Sequence, residues 1–380
     1  MKKMFFGIML AASFLLVMNT SCSDPIFSSI REEVELEDAD VSGAIYSIVR
    51  YKDDLYTQNG KIYKKAQANI LESHSWDEFS APPVSATYPY ANKLAADENY
   101  LYVQVTKINS DDMEGENVTD GSEIWCWQNE EDGWKQVQIQ TGTDSETGEA
   151  TYTSSFSKNT ATLFCTNAVQ AAHRIAYLRW DGKIYRLNGA TVTESLTLGT
   201  DDNTTVPNST SRNCAYFEGN VYFTTEAAMV TNETADSDAT MLFRVEGDDT
   251  IYYRFESSEW TKWYGVGYNI YSLAATGRTG TMTDGYLVVG TSAGLWLLHF
   301  NEEGGCDGDI TSSFKNTSAT LSSYYRIHAD LVVDPSKTLL ESTIYASADY
   351  SGSSSSTSAS TKNRGLWSYL GSTRTSWNRE

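Results

Sequence analysis

Ile175-Ala176-Tyr177-Leu178-Arg179-Trp180-Asp181-Gly182-Lys183-Ile184-Tyr185 decides how the rest of the chain is read. The run to Trp180 is apolar and aromatic apart from Arg179, Asp181-Gly182 supplies a turn, and Lys183-Ile184-Tyr185 opens a second strand. The same unit appears as Asp54-Leu55-Tyr56-Thr57-Gln58-Asn59-Gly60-Lys61-Ile62-Tyr63, and as Leu287-Val288-Val289-Gly290 followed by Gly294-Leu295-Trp296. Three further copies have insertions between the halves. Tyr100-Leu101-Tyr102-Val103 resumes at Glu123-Ile124-Trp125, Val221-Tyr222-Phe223 at Met241-Leu242-Phe243, and Ile344-Tyr345-Ala346 at Gly365-Leu366-Trp367. Tyr56, Tyr102, Tyr177, Tyr222, Val289 and Tyr345 thus mark six copies.

Units of roughly 45–55 residues built only of strands are the size of four-stranded propeller blades. A further β run precedes several copies, such as Ile45-Tyr46-Ser47-Ile48-Val49 and Ile270-Tyr271-Ser272-Leu273, and Trp76, Trp134, Trp260 and Trp377 fall where an outer strand would lie. Such small sheets bury their two apolar faces by stacking, and ring closure leaves only short edges. The 24 Tyr and 10 Trp supply flat rings to fill the wedges between sheets. The expected fold is therefore all-β: a single β-propeller over residues 43–380, with six blades of four antiparallel strands, or seven if residues 138–172 hide one. The competing arrangement is two or three β-sandwich domains.

With this pattern in view, the chain resembles the β-propellers of exported bacterial lipoproteins, and more distantly the sialidase-like and sortilin-like rings. Those rings end a blade with Ser-x-Asp-x-Gly-x-Thr-Trp. Here Ser372-Thr373-Arg374-Thr375-Ser376-Trp377 keeps the Ser-Trp without the Asp or Gly, and Asp132-Gly133-Trp134 keeps an Asp-Gly before Trp. The resemblance supports the fold and carries over no functional residue.

The first 21 residues read as an export signal: Lys2 and Lys3, an apolar run from Met4 to Met18, then small residues before Cys22. This resembles a bacterial lipoprotein signal, in which the Cys thiol carries lipid, although Asn19 departs from the usual aliphatic residue. Residues 22–42, with Arg31-Glu32-Glu33-Val34-Glu35-Leu36-Glu37-Asp38, form an acidic tether. The expected location is the cell envelope, as an outer-membrane lipoprotein facing the periplasm or the surface, with the membrane met through Cys22. Cys126, Cys165, Cys214 and Cys306 remain; two disulfides in any of three pairings, or four free buried thiols, both fit.

A formal charge of -22 excludes nucleic acid, which needs a Lys/Arg surface to neutralise phosphates. Gly290-Thr291-Ser292-Ala293-Gly294 is a formal nucleophile elbow, but the run after it reads as a strand, and Gly and Ser are expected in a hairpin turn. His74, His173, His299 and His328 show no metal-ligand spacing, and no motif selects three of Arg174, Arg179, Arg186, Arg254 and Arg326 as an anion clamp. No metal, cofactor or catalytic residue is assigned. Long polar insertions at 107–122, 225–240 and 349–364 fall in the even units only, which would place them on one rim. The candidate binding rim comprises Asp111, Asp112, Glu114, Glu116, Asp120, Glu233, Asp236 and Asp238. The functional expectation is a non-catalytic binding scaffold for a protein or carbohydrate partner. The alternatives are a glycan-active hydrolase or lyase using carboxylates at the propeller channel, and a structural subunit of an envelope complex.

Overall fold

The structure is a computed structural model. It describes residues 39–380 except 44, 86–87, 109–120, 158–160, 200–205, 278–283, 302–305, 310–324, 337–340, 351–363 and 371–376. The signal segment, Cys22 and most of the acidic tether lie outside the described residues, as do Asp111, Asp112, Glu114, Glu116 and Asp120.

Among the described residues, seven antiparallel sheets follow one another along the chain. Sheet one holds Ile48–Tyr51, Asp54–Asn59, Lys61–Lys65 and Asp77–Phe79. In sheet two, Tyr88–Ala96, Leu101–Ile108 and Gly121–Trp127 are flanked by Trp134–Gln136 and Phe156–Ser157, both paired to the third strand. Sheet three has Thr162–Cys165, Ala176–Trp180 and Lys183–Arg186. Sheet four is a bare hairpin, Asn213–Phe217 with Asn220–Thr224. Sheet five comprises Met229–Thr231, Met241–Glu246, Thr250–Phe255 and Thr261–Gly265. Sheet six begins with Ile270–Ala275, Asp284–Thr291 and Gly294–Asn301 and ends at Cys306–Asp309. Tyr325–Val332, Thr343–Tyr350, Gly365–Leu370 and Trp377–Arg379 make sheet seven.

The first strand of each sheet packs on that of the next, and sheet seven's packs on sheet one's, so residues 39–380 close into a β-propeller. The core is divided among the wedges. Ile139, Phe156, Leu163 and Leu178 fill the space between sheets two and three, and Phe243, Ile251, Leu287 and Phe300 the space between five and six.

Six repeats become seven sheets because the fourth repeat is two. Val221-Tyr222-Phe223 closes the hairpin of sheet four, whereas Met241-Leu242-Phe243 belongs to sheet five. Phe217 and Asn220 are joined by Glu218 and Gly219, both with positive φ (47° and 78°), a two-residue turn whose twist suits a hairpin. Asp181 (50°) and Gly182 (67°) repeat that geometry in sheet three. Among the described residues of 138–172 there is no separate blade: Phe156–Ser157 joins sheet two and Thr162–Cys165 opens sheet three. Gln138–Thr143 instead pairs with Ala150–Thr153 and Thr191–Val192 in a small accessory sheet.

This division also changes the insertions. Residues 107–122 and 349–364 do join second and third strands, but 225–240 runs from sheet four through the first strand of sheet five. Glu233, Asp236 and Asp238 therefore connect first and second strands, and in an alternating antiparallel sheet such a connection leaves at the opposite edge.

The ring is fastened between sheets seven and one. The Val41 amide donates to the Glu380 carbonyl (3.2 Å), and the Leu366 amide donates to the Val41 carbonyl (3.3 Å). Gly365 has φ +140°, and a Cβ there would stand 2.8 Å from that carbonyl, so the crossing requires glycine. The Glu380 carboxylate pairs with the Lys65 ammonium at 2.7 Å, both side chains 0% exposed, and also accepts from the Trp76 indole (2.9 Å) and the Ser368 hydroxyl. Burial lowers the pKa of Lys65, with Glu380 opposing that effect.

Candidate functional site

The first strands of all seven sheets line a central cavity of about 580 Å³. Its two ends are built from similar residue types and differ in what those residues do.

At the end where the first strands finish, cations are tied to backbone. Arg50 donates to the Val332 carbonyl and to that of Val333 (3.1 Å). The Arg174 guanidinium reaches three carbonyls, Ala168 (3.0 Å), Lys52 (2.8 Å) and Val169 (2.7 Å). Burial, with Arg174 nearby, takes the pKa of Arg50 down to about 10. Glu233 is 3% exposed: it accepts from the Val169 amide (2.6 Å), the Gln170 amide (3.2 Å) and the ring of His173, which stacks on Tyr216 at 3.9 Å. Glu233 therefore holds sheet five to the loop of sheet three. Asp236 and Asp238 are exposed beyond it, and Asp238 accepts from the Gln170 side chain (3.3 Å). Ligand atoms of His173, Glu233 and Asp238 lie within 4.8 Å of one another, a set able to approach a metal. Both Glu233 oxygens and His173 Nδ1 are already engaged, so the arrangement reads as a hydrogen-bonded clasp.

The end where the first strands begin is different. Lys93 comes from sheet two, Arg179 from sheet three, and Arg212 stands just before sheet four. Arg179 is aimed by Thr162 Oγ1 and the Thr210 carbonyl, both 2.9 Å away. Arg212 uses only Nε, on the Glu226 carbonyl at 3.2 Å. Among the described residues, neither the Arg212 terminal nitrogens nor the Lys93 ammonium has a hydrogen-bond partner. Burial lowers the pKa of Lys93, with Arg179 and Arg212 adding to the fall and Cys165 and Cys214 opposing it. That of Arg179 is lowered by burial and then by Arg212. Opposite these cations the His328 ring stacks on Tyr271 at 4.8 Å, with Tyr46 edge-on at 5.7 Å.

Backbone irregularity places several of these groups. Register slips in the first strands between Ala91 and Lys93, Ile270 and Ser272, and Ile327 and Ala329 leave Asn92, Tyr271 and His328 as the extra residues. A bulge turns a side chain out of the strict alternation, and bulges gather beside functional sites. Such slips show only in how the strands pair, and the cluster draws on several sheets, so reading the repeats did not find it. The only local hint was a Lys or His inside an apolar first strand.

Several expectations meet the structure directly. Gly290-Thr291-Ser292-Ala293-Gly294 is a hairpin turn: Thr291 Oγ1 donates to the Gly294 carbonyl (2.8 Å), and Gly294 opens a strand. A Cβ on Gly290 would meet Ile327 O at 2.9 Å, so this glycine lets sheets six and seven approach. Cys126, Cys165 and Cys214 are free thiols, which decides against two disulfides among the four cysteines. Burial raises the pKa of Cys165 and Cys214, both in the cavity lining, and pushes that of Cys126 up to about 12.

Residues 4–108 match the model of the TP013X lipoprotein family. No curated protein matches the chain. Solved structures that match the chain include the PQQ-bound aldose sugar dehydrogenase of Streptomyces coelicolor, at 8% identity and TM-score 0.42, covering 88% of this chain and 96% of that one. The BBS1N chain solved with ARL6DN gives 12%, 0.41, 91% and 96%, and the Dos1 propeller 9%, 0.34, 86% and 67%. The family match covers residues 4–108, which include Cys22 and, of the described residues, sheet one and the first two strands of sheet two.

Proposed function

We propose that the chain is a lipid-anchored, extracytoplasmic binding propeller that holds a ligand in its central cavity without transforming it. Cys22 carries the lipid and residues 23–42 serve as the tether, in an outer-membrane lipoprotein facing the periplasm or the surface. The family match across residues 4–108, which takes in Cys22, supports the anchor.

One observation carries the choice of binding over catalysis. Among the described lining residues, the cavity has one carboxylate, Glu233, and its oxygens are committed to two amides and His173. A glycan hydrolase needs a pair of carboxylates free to act as acid and as base or nucleophile. The cavity thiols are held protonated by burial, which removes their nucleophilic form. On this reading the acidic residues Asp111, Asp112, Glu114, Glu116 and Asp120, with Asp236 and Asp238, are outer contacts for a protein or carbohydrate partner. Glu233 fixes the base of the second loop.

The test is a glycan array and pull-down with the full chain in detergent, beside a variant carrying Ala274→Trp to fill the cavity. Saturable retention of unchanged ligand that the filled variant loses is expected. Release of a cleaved product would overturn the non-catalytic reading, and labelled palmitate that enters Cys22→Ala as well as the parent would overturn the anchor.

A further inference from the structure

Resting on that reading, we infer that the cavity selects a small organic anion, a saccharide-sized molecule bearing a carboxylate, sulfate or phosphate, held by Lys93, Arg179 and Arg212. The chain as a whole has 28 Lys+Arg against 50 Asp+Glu, but the lining reverses the balance, with Arg50, Lys93, Arg179 and Arg212 against Glu233 alone. Arg50 and Glu233 are committed to the far end, so the charged residues lining the near end are cations, while the carboxylates of Glu226, beside Arg212, and Asp349, 3.9 Å from His328, lie outside the lining.

Such a cluster costs stability when empty. Bringing three like charges together in a partly desolvated cavity is unfavourable unless something neutralises them. Elsewhere this protein pairs its buried cations, as Lys65 with Glu380, or ties them to carbonyls, as Arg174. Glu226, outside the lining, interacts with Arg212, but among the described residues no group hydrogen-bonds the Lys93 ammonium or the terminal nitrogens of Arg212, and an anion entering the cavity would supply that service. Arg212 offers its terminal nitrogens, Arg179 the one N–H left on each of its already engaged terminal nitrogens, and Lys93 adds a point charge.

The rest of the near end fixes the size and character of the ligand. A cavity of about 580 Å³ is in the range of small-molecule sites and too small for a macromolecule to enter. The Tyr271–His328 stack offers a flat face opposite the cations, suited to the C–H face of a sugar ring. Thr162 and Asn213 belong to the same lining, where the Thr162 hydroxyl accepts from Arg179 and Asn213 Nδ2 donates to the Glu226 and Ala227 carbonyls, leaving Asn213 Oδ1 as an acceptor.

Equilibrium dialysis of the full chain in detergent tests this, with labelled glucuronate, glucose 6-sulfate, glucose 6-phosphate and glucose as probes. At least one anionic probe should bind at least tenfold more tightly than glucose and weaken as salt rises. Lys93→Met, Arg179→Ala and Arg212→Ala should each weaken it at least tenfold. Lys183→Met, on an exposed cation of sheet three, should leave it unchanged. The ranking among the three anionic probes identifies the oxyanion. Glucose binding as tightly as the anions would overturn the charge selection while leaving the cavity a binding site. Equal losses in Lys183→Met and the cavity variants would reduce it to general electrostatics and overturn it too. If no anionic probe binds while an array glycan is still retained by the parent and lost by Ala274→Trp, the anion inference fails and the binding reading stands.

Discussion

The two ends of the cavity use the same vocabulary for opposite purposes. At the far end, Arg50 and Arg174 spend their donors on carbonyls, and Glu233 spends its acceptors on amides. At the near end, Lys93 and much of Arg212 are left unspent. An arginine in a propeller channel is therefore not a binding residue by virtue of being there. What separates structure from site is whether its hydrogen-bonding capacity has been consumed by the fold.

The largest effect should come from breaking the committed end. Arg174→Ala leaves three carbonyls without a charged donor, and each buried acceptor left unsatisfied costs about 1–3 kcal/mol. The denaturation midpoint in urea should fall sharply. An unchanged midpoint would show that the far end does not hold the ring.

Next in size is the contrast at the near end. Arg179→Ala and Arg212→Ala should weaken anion binding at least tenfold while moving stability by less than about 1 kcal/mol, as expected for partly exposed charges. A stability loss matching that of Arg174→Ala would erase the distinction between the ends.

Lys93→Met sharpens it further, because here the variant should be the more stable protein. Removing an unpartnered, partly desolvated ammonium should raise stability at pH 7 by about 1 kcal/mol, in the absence of ligand. The sign with pH follows from the lowered pKa of Lys93. Below that lowered value both states hold the proton and the full penalty applies. Between it and the ordinary value of 10.5 the unfolded chain holds a proton that the folded one lacks, so parent stability climbs with pH. The advantage of Lys93→Met should shrink over that window, and an advantage independent of pH would point to packing instead.

The smallest change belongs to the aromatic wall. Tyr271→Leu should reduce saccharide affinity two- to fivefold without altering the salt dependence that the cations confer. A loss as large as that of Arg212→Ala would make the rings, rather than the charges, the centre of recognition.

The sequence made the blades readable because each depends on local alternation and short turns, as in Asp181-Gly182. It misled at Phe217-Glu218-Gly219-Asn220, where a compact hairpin and the sheet after it looked like one repeat with an insertion. The cationic cluster was hidden for another reason. Lys93, Arg179 and Arg212 belong to three sheets, and only ring closure brings them to one cavity. The rim reading placed Glu233 among solvent-facing acids because its neighbours Asp236 and Asp238 are polar. Its burial depends on His173, 60 residues away, which no local pattern reveals.

The fastening at Glu380 sets the order in which the molecule can become whole. Lys65 and Trp76 are near the start of the ring, yet their shared partner lies more than 300 residues later. Until Glu380 is in place, sheet one holds an ammonium facing an apolar pocket without a counter-charge. Contacts of such sequence separation slow folding, since a long loop must close before they form. Sheet one and sheet seven are thus joined by contacts that form only after the whole span between them has folded.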